Sequence, residues 1–465
     1  MTPERKEALL DEAAQRAREI LAEQLDALGE RPLTVDEIEE LVEQASREAA
    51  RWLEERLIIE QTPPAANTAP CPQCGHPARY KQTLHTQLLT IHGQQPVAAR
   101  YHYCAPCQYG FCPQDVLLGI ERGRKATRRV RAWMARFAVQ EESFAAVPPL
   151  LVELRGLEVS ESTVERTTVE VGAALAAANQ TRAQATSRAD GTDAGAPESP
   201  AAAPEAEEPR PCPEGARLYL ALDGTMCPLR DAWRKDGSLG KLVCRYGEAK
   251  VGMAFTTGHK EGLDTGIVTR GCIGTLENIT VFTLLMVALA RQWGAQRAQE
   301  VVVLGDGAAW IWNLARRYFP QAVQIVDLWP VLERLWTVAE VRFGSRSSAA
   351  AQGWVRQMRD HLEHNLVGTV IGELERWEPK RKTHRQLRAE QLTFFEGNRQ
   401  RMQYQSYLAR GYLVGSGPIE SQCKQLVQRR LHEGGMHWRE GPAEAVLAIR
   451  ACLHSTRRTD LRVYA

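Results

Sequence analysis

Long hydrophobic runs are missing from this sequence. The longest, Val281–Ala290, holds about ten residues against the roughly twenty that a bilayer-crossing helix needs, which excludes a membrane-embedded chain. Net charge is nearly absent too: 58 basic residues against 57 acidic leave +1, so the average composition gives no reason to expect a polyanion partner. Cysteine is sparse, eleven in 465 residues, which excludes a disulfide scaffold for a chain of this size. No internal repeat is visible, and the opening Met1-Thr2-Pro3-Glu4-Arg5-Lys6 lacks signal-peptide character, so a cytoplasmic protein is expected. What remains, 44% apolar and 25% charged residues, is ordinary for a globular chain long enough for about three domains.

The charge is segregated along the chain. Residues 1–60 carry 17 acidic against 8 basic residues, residues 121–136 carry seven basic against one acidic, and residues 378–465 carry 16 basic against 8 acidic. Local polyanion-facing surfaces are therefore expected. The first 60 residues read as two or three amphipathic helices interrupted at Gly29 and Pro32, with a surface or dimerising role. Residues 119–180 read as helical. Two short helices meet at Gly156, and Ser162 with Glu165 has capping-box spacing, which is compatible with a helix-turn-helix. Arg122, Arg124, Lys125, Arg128, Arg129 and Arg131 cluster at the start of this region, with Arg136 beyond them; they suit phosphate contact, and a solvated helix face is the alternative. Residues 181–215 have almost no large apolar side chain and are expected to be a disordered linker.

Five of the cysteines fall between positions 71 and 112. Cys71/Cys74 and Cys104/Cys107 form two Cys-x-x-Cys knuckles bracketing a strand hairpin, around Tyr80–Ile91 and Pro96–Tyr103. Paired soft thiolates are what tetrahedral zinc selects, and a site closed by four sulfurs is structural. Cys112 has no partner knuckle.

Past residue 215 strands and helices alternate. Strands are expected at Arg217–Leu222, Ala249–Thr256, Thr265–Cys272, Val301–Leu304 and Ala322–Val326, with helices at Val281–Trp293 and Ala309–Tyr318. Three strands followed by helix, strand and helix is an RNase H-like order. Asp223 and Asp306 each follow an apolar strand and precede a glycine. Singly, such an Asp-Gly is turn or cap chemistry; together, in that sheet, two carboxylates would meet and could share divalent cations for phosphoryl transfer. A third acid is then needed. Glu420 follows Gly415-Ser416-Gly417-Pro418-Ile419 in the first turn of a helix that also carries Lys424, Arg429 and Arg430. It is either a metal ligand beside phosphate-holding cations or an ion-pair partner of Lys424. Asp327 is a helix cap or an auxiliary acid. Trp310 and Trp312 pack in a core or, like Trp438, stack on bases, and Lys250 approaches phosphate or is simply exposed.

Several segments now line up: Asp223-Gly224-Thr225, Gly305-Asp306-Gly307-Ala308 with Trp310-Ile311-Trp312, Ile325-Val326-Asp327-Leu328-Trp329, Gly415 through Ser421, and Gly435-Met436-His437-Trp438. Their order resembles that of bacterial insertion-sequence transposases of the Kra group, which are of the DDE type and more distantly similar to Mutator-like enzymes. The resemblance extends over nearly the whole chain, including Tyr101-His102-Tyr103-Cys104. It implies that Asp223, Asp306 and Glu420 form a catalytic triad binding magnesium or manganese. It implies DNA cleavage by water at the element ends, then attack of the freed 3′ hydroxyl on target DNA. The long separation between Asp306 and Glu420 resembles the helical insertion of these relatives. One departure is Pro330, where the family usually carries a histidine.

The expected architecture is a multidomain α+β protein: an acidic helical region (1–60), a zinc-ribbon-like module of four cysteines (61–118), a helical DNA-binding region (119–180), a linker (181–215) and an RNase H-like catalytic domain (216–465) with a helical insertion at about 331–410. The expected partners are element terminal repeats, target DNA and a second copy of the chain, as homodimer or higher oligomer, at the nucleoid and with no membrane. The alternative is a catalytically inactive, transposase-derived DNA-binding protein.

Overall fold

A computed structural model describes residues 2–28, 31–62, 64–121, 123–189, 216–230, 244–260, 263–415, 417–432 and 436–465. The chain is mixed α+β and divides into two compact units, one of residues 1–138, 143–167 and 462–465, the other of residues 139–142 and 168–461.

In the first unit, helices α1 (Pro3–Leu28) and α2 (Val35–Glu60) form a hairpin. Arg5 on α1 reaches Glu60 at the end of α2, and Arg56 reaches Glu12, so the helices run antiparallel. Thr34 starts α2 with a capping box: its hydroxyl accepts from the Glu37 N–H while the Glu37 side chain accepts from the Thr34 N–H. Next comes an antiparallel sheet in the order β1 (Thr68–Pro70), β2 (Pro77–Thr90), β3 (Gly93–Cys104), β4 (Tyr109–Phe111). Glu54 of α2 accepts from the Thr90 hydroxyl and the Gln95 amide, tying helix to hairpin. After α3 (Pro113–Leu118), helices α4 (Arg128–Gln140), α5 (Val147–Arg155) and α6 (Glu161–Ala189) follow, with the last residues of α4, and α6 from residue 168 onward, belonging to the second unit. Val130, Met134, Val147, Leu151, Leu157 and Val164 share one core with Leu89 of β2. Gly156 ends α5 at φ +62, in the left-handed region that glycine adopts without strain. The cap of α6 is Ser160, whose Oγ accepts from Thr163 N–H at 3.3 Å, and not Ser162, which lies inside the helix. Helix α6 also corrects the expected linker: residues 181–189 are helical, and 190–215 lie outside the described residues.

The second unit is built on a five-stranded sheet ordered β7-β6-β5-β8-β9, comprising β5 (Arg217–Arg230), β6 (Cys244–Lys260), β7 (Leu263–Thr275), β8 (Glu300–Gly305) and β9 (Val323–Val326). Strands β5, β6 and β7 are antiparallel, and β5, β8 and β9 are parallel. Helix α7 (Ile279–Gln292) links β7 to β8, and α8 (Ala309–Tyr318) links β8 to β9. The three antiparallel strands outrun their sequence signal, because their outer ends pair with one another and need no apolar run to do so.

Helices α9 (Leu328–Phe343), α10 (Ala349–Glu363), α11 (Val367–Arg376), α12 (Lys382–Asn398) and α13 (Tyr404–Ala409) form the helical region that the sequence suggests. The buried Tyr404 and Tyr407 anchor it, their hydroxyls donating to the carbonyls of Val326 and Gln324 on β9. The chain closes with α14 (Gly417–Cys423), which passes directly into a π-helix (Lys424–His432), and α15 (Glu440–His454).

Candidate functional site

Two places gather chemistry. In the first unit, β1 leads into the Cys71–Cys74 knuckle, where Cys71 N–H donates to His76 O and Gly75 N–H to Cys71 O, both at 2.9 Å. The second knuckle follows β3, and its turn puts Gln108 at φ +52. The sulfurs meet at 3.5 Å for the pairs Cys71/Cys107, Cys74/Cys104 and Cys74/Cys107, and all four lie within 4.8 Å of one another. A tetrahedron of thiolates about 2.3 Å from zinc has an edge of about 3.8 Å, so the four can hold a zinc ion. Desolvation opposes ionisation of the Cys71 thiol, but the backbone N–H groups of Gln73 and Cys74 outweigh it and bring it down to about 7. Among the described residues no other group of three or more Cys, His, Asp or Glu converges so closely. Cys112 is buried at the start of α3, outside the cluster.

In the second unit the acids are set by strand register. The parallel ladder between β5 and β8 ends at Ala221 opposite Leu304, and Asp223 within β5 and Asp306 just past the end of β8 each lie two residues beyond that rung. Asp223 is thus not at the end of a strand, as the sequence suggests, because β5 continues to Arg230 in pairing with β6. It sits where β8 stops flanking β5. Gly305 pairs with Val326, which extends the same row to Asp327 on the far side. Asp327 is fully buried and caps α9, its Oδ1 accepting from Trp329 N–H at 3.0 Å.

Asp223 is half-buried while Asp306 and Glu420 are exposed. Burial raises the Asp223 carboxyl above its ordinary range, the Gly224 N–H at 2.7 Å opposes this, and the negative charges of Asp306 and Glu420 add to the rise. Asp306 and Glu420 thus each act electrostatically on Asp223, although the three acids do not close to the spacing of the cysteine cluster. Two neighbours were not singled out by the sequence. Cys423, three residues after Glu420, points its Sγ at Asp223 Oδ2 at 3.5 Å, and its thiol is pushed up by burial and by Asp223. Arg334 on α9 stacks 3.8 Å over Phe394, and Asp306 favours its charged form against the desolvation that lowers it. The i+3 spacing from Glu420 was a usable signal for Cys423, whereas nothing local marks Arg334.

The basic candidates separate by exposure. Lys125, Arg128 and Arg129 are exposed, Arg124 and Arg128 both pair with Glu121, and Arg122 lies outside the described residues. Arg131 is only 5% exposed, which removes it from any phosphate-facing surface. Lys424 and Arg429 are exposed on the π-helix, whereas Arg430 is 1% exposed and stacks 4.8 Å from Trp438. Burial lowers the Arg430 guanidinium to about 10. Trp312 and Trp438 are buried, Trp310 packs edge-on against Phe282, and Lys250 is 3.3 Å from Glu248. No protein-family model and no curated protein matches the chain.

Proposed function

We propose that the protein is a DDE-type DNA transposase similar to the Kra-group enzymes, with Asp223, Asp306 and Glu420 as its catalytic acids. The observation that carries this reading is the shared register of Asp223 and Asp306, with the charge of Glu420 acting on the same carboxyl. The strand order, third-second-first-fourth-fifth in chain sequence, supports an RNase H-like domain, and the paired knuckles support a zinc ribbon. The Gly156 turn between α5 and α6 supports a helix-turn-helix.

Carboxylate oxygens are hard ligands suited to magnesium or manganese, and the negative charge that Asp306 and Glu420 bring to bear on Asp223 is what a cation would relieve. Bound there, the cation supplies charge neutralisation for in-line phosphoryl transfer. Asp223, Asp306 and Glu420 would hold it, Arg334 beside Asp306 would steady a phosphate, and Trp329, 59% exposed next to Asp327, offers a face for an unpaired base. In the reaction, water attacks a phosphorus at the element end and the 3′ oxygen leaves, taking a proton. That 3′ hydroxyl then attacks a target phosphorus and displaces another 3′ oxygen. Pairing two element ends calls for an oligomer, and Leu10, Leu25, Ile38 and Val42 are exposed on α1 and α2 to form its interface.

The test is cleavage and joining of labelled DNA carrying the native flanks, with a target plasmid and magnesium. Asp306→Ala and Glu420→Ala should each abolish both products and keep binding. The second reading, a DNA-binding derivative that does not cut, is favoured by Pro330 in the first turn of α9. Binding without cleavage by the unaltered protein would establish that reading instead.

A further inference from the structure

Apart from the acids, the second unit has a cavity of about 340 Å³ where the end of α15 meets β7. Arg270, Arg450, His454, Ser455, Thr456 and Arg458 line it, and among the described residues no carboxylate does. Its wall is built by hydrogen bonds: Arg270 N–H donates to Thr456 Oγ1 at 2.9 Å, Thr456 N–H to Arg270 O at 2.8 Å, and Cys272 N–H to Ser455 Oγ at 2.9 Å. Arg270 Nε donates to His454 O at 3.0 Å, which fixes the guanidinium against the helix end.

Among the described residues, the charged side chains lining this cavity are all basic. Buried Arg450 donates to the carbonyls of Gln425, Leu426 and Val139, which are dipoles and not counter-charges. Among the described residues neither Arg270 nor Arg458 lines this cavity beside an acid. Burial first, then the positive charges of Arg450, Arg270, Arg458 and Arg429, hold the His454 imidazole down to about 4. Guanidinium groups grouped without carboxylates, beside hydroxyls, present the forked donors that oxyanions take bidentately.

We propose that this pocket binds a phosphoryl oxyanion, held by Arg270 and Arg458 with the Thr456 hydroxyl at its mouth. Its source is a DNA backbone phosphate or free inorganic phosphate, and the site does not depend on the protein cutting DNA. A bound anion stabilises the imidazolium, so binding tightens as pH falls and His454 titrates higher when the site is filled.

The experiment uses the full chain. Inorganic phosphate is titrated in while the His454 ring signals are followed by NMR, and the titration is repeated in Arg458→Ala, at an exposed position, and in Arg270→Gln. Phosphate should move the His454 midpoint upward from about 4. Each variant should weaken binding about tenfold or more, the size of one charge-assisted hydrogen bond. Duplex DNA of arbitrary sequence identifies the source. If DNA expels phosphate and each variant lowers the salt slope of DNA binding by about one, the ligand is a backbone phosphate. If phosphate binds and DNA leaves it in place, the ligand is the free ion. No shift of His454 with either probe, together with an unchanged salt slope in both variants, overturns the proposal.

Discussion

Asp223 and Asp306 stand two residues past the same rung of the parallel ladder, the pair Ala221 and Leu304. The burial and like charge that accompany this placement raise the Asp223 carboxyl above 3.8. An acid whose folded pKa is raised binds more protons folded than unfolded, so its stabilising share is complete below the unfolded value and lost as pH rises through the folded one. Asp223→Asn should therefore raise the melting temperature at pH 7 in metal-free buffer, with the gain shrinking as pH falls through the raised folded value and gone below about 4. Magnesium should stabilise the unaltered protein and leave the variant unmoved. A variant that melts at or below the parent at pH 7 would contradict this account.

The cysteine cluster predicts one zinc per chain. Cys104→Ser should release it and destabilise the first unit by several kcal/mol, since structural zinc binding is coupled to folding. Elemental analysis and melting with and without a chelator check this together; a chelator-insensitive melt in zinc-loaded protein would show that the thiols do not hold the metal.

Helix α6 approaches α15 at Gly172, where an added Cβ would fall 2.3 Å from the Ala445 carbonyl oxygen. Backbone cannot swing aside as a side chain can. Gly172→Ala should cost about 1–3 kcal/mol in denaturant unfolding, against any gain in helix propensity.

Adjacent arginines on the π-helix should behave in opposite ways. Arg429→Ala, at an exposed position, should weaken DNA binding and leave the melting temperature within experimental error. Arg430→Ala removes a buried side chain from Trp438 and should cost about 2–3 kcal/mol of stability. Equal melting temperatures for the two variants would refute the assignment.

His454 sets an acid limit. Its folded pKa of about 4 lies below the ordinary 6.5, so between these values the unfolded chain takes up a proton that the folded one refuses. Stability should fall as pH drops through that window, and His454→Gln should flatten the loss. Urea midpoints at pH 7 and pH 5 measure it, and parallel slopes for parent and variant would rule the histidine out.

Some of this was legible from spacing alone. Helix α8 runs from Ala309 to Tyr318, the limits its periodicity indicates, because apolar residues at helical spacing and the glycine before them are local signals. The knuckles were legible for the same reason, since the two-residue gap already brings the sulfurs of each pair together. The extent of β5 was not: its far half is held by Gly247 and Tyr246 across the ladder, partners some twenty residues away in sequence. Exposure was not legible either. Arg131 and Arg430 look like their neighbours in a charge count, yet each faces inward, and only packed neighbours decide that.

The sequence by itself determined the order of helices and strands, the two cysteine pairs and the acids that follow the strands Arg217–Leu222 and Val301–Leu304, since each depends on residues within a few positions of one another. Only the tertiary structure decided that Asp223 and Asp306 share a register, that Cys423 meets Asp223 and Arg334 feels the charge of Asp306, and that Arg270, Arg450 and Arg458 line one cavity with no acid among its described residues. Those relations span up to 200 residues of chain, and they exist only once strand pairing and helix docking have excluded water and chosen which side of each element faces inward.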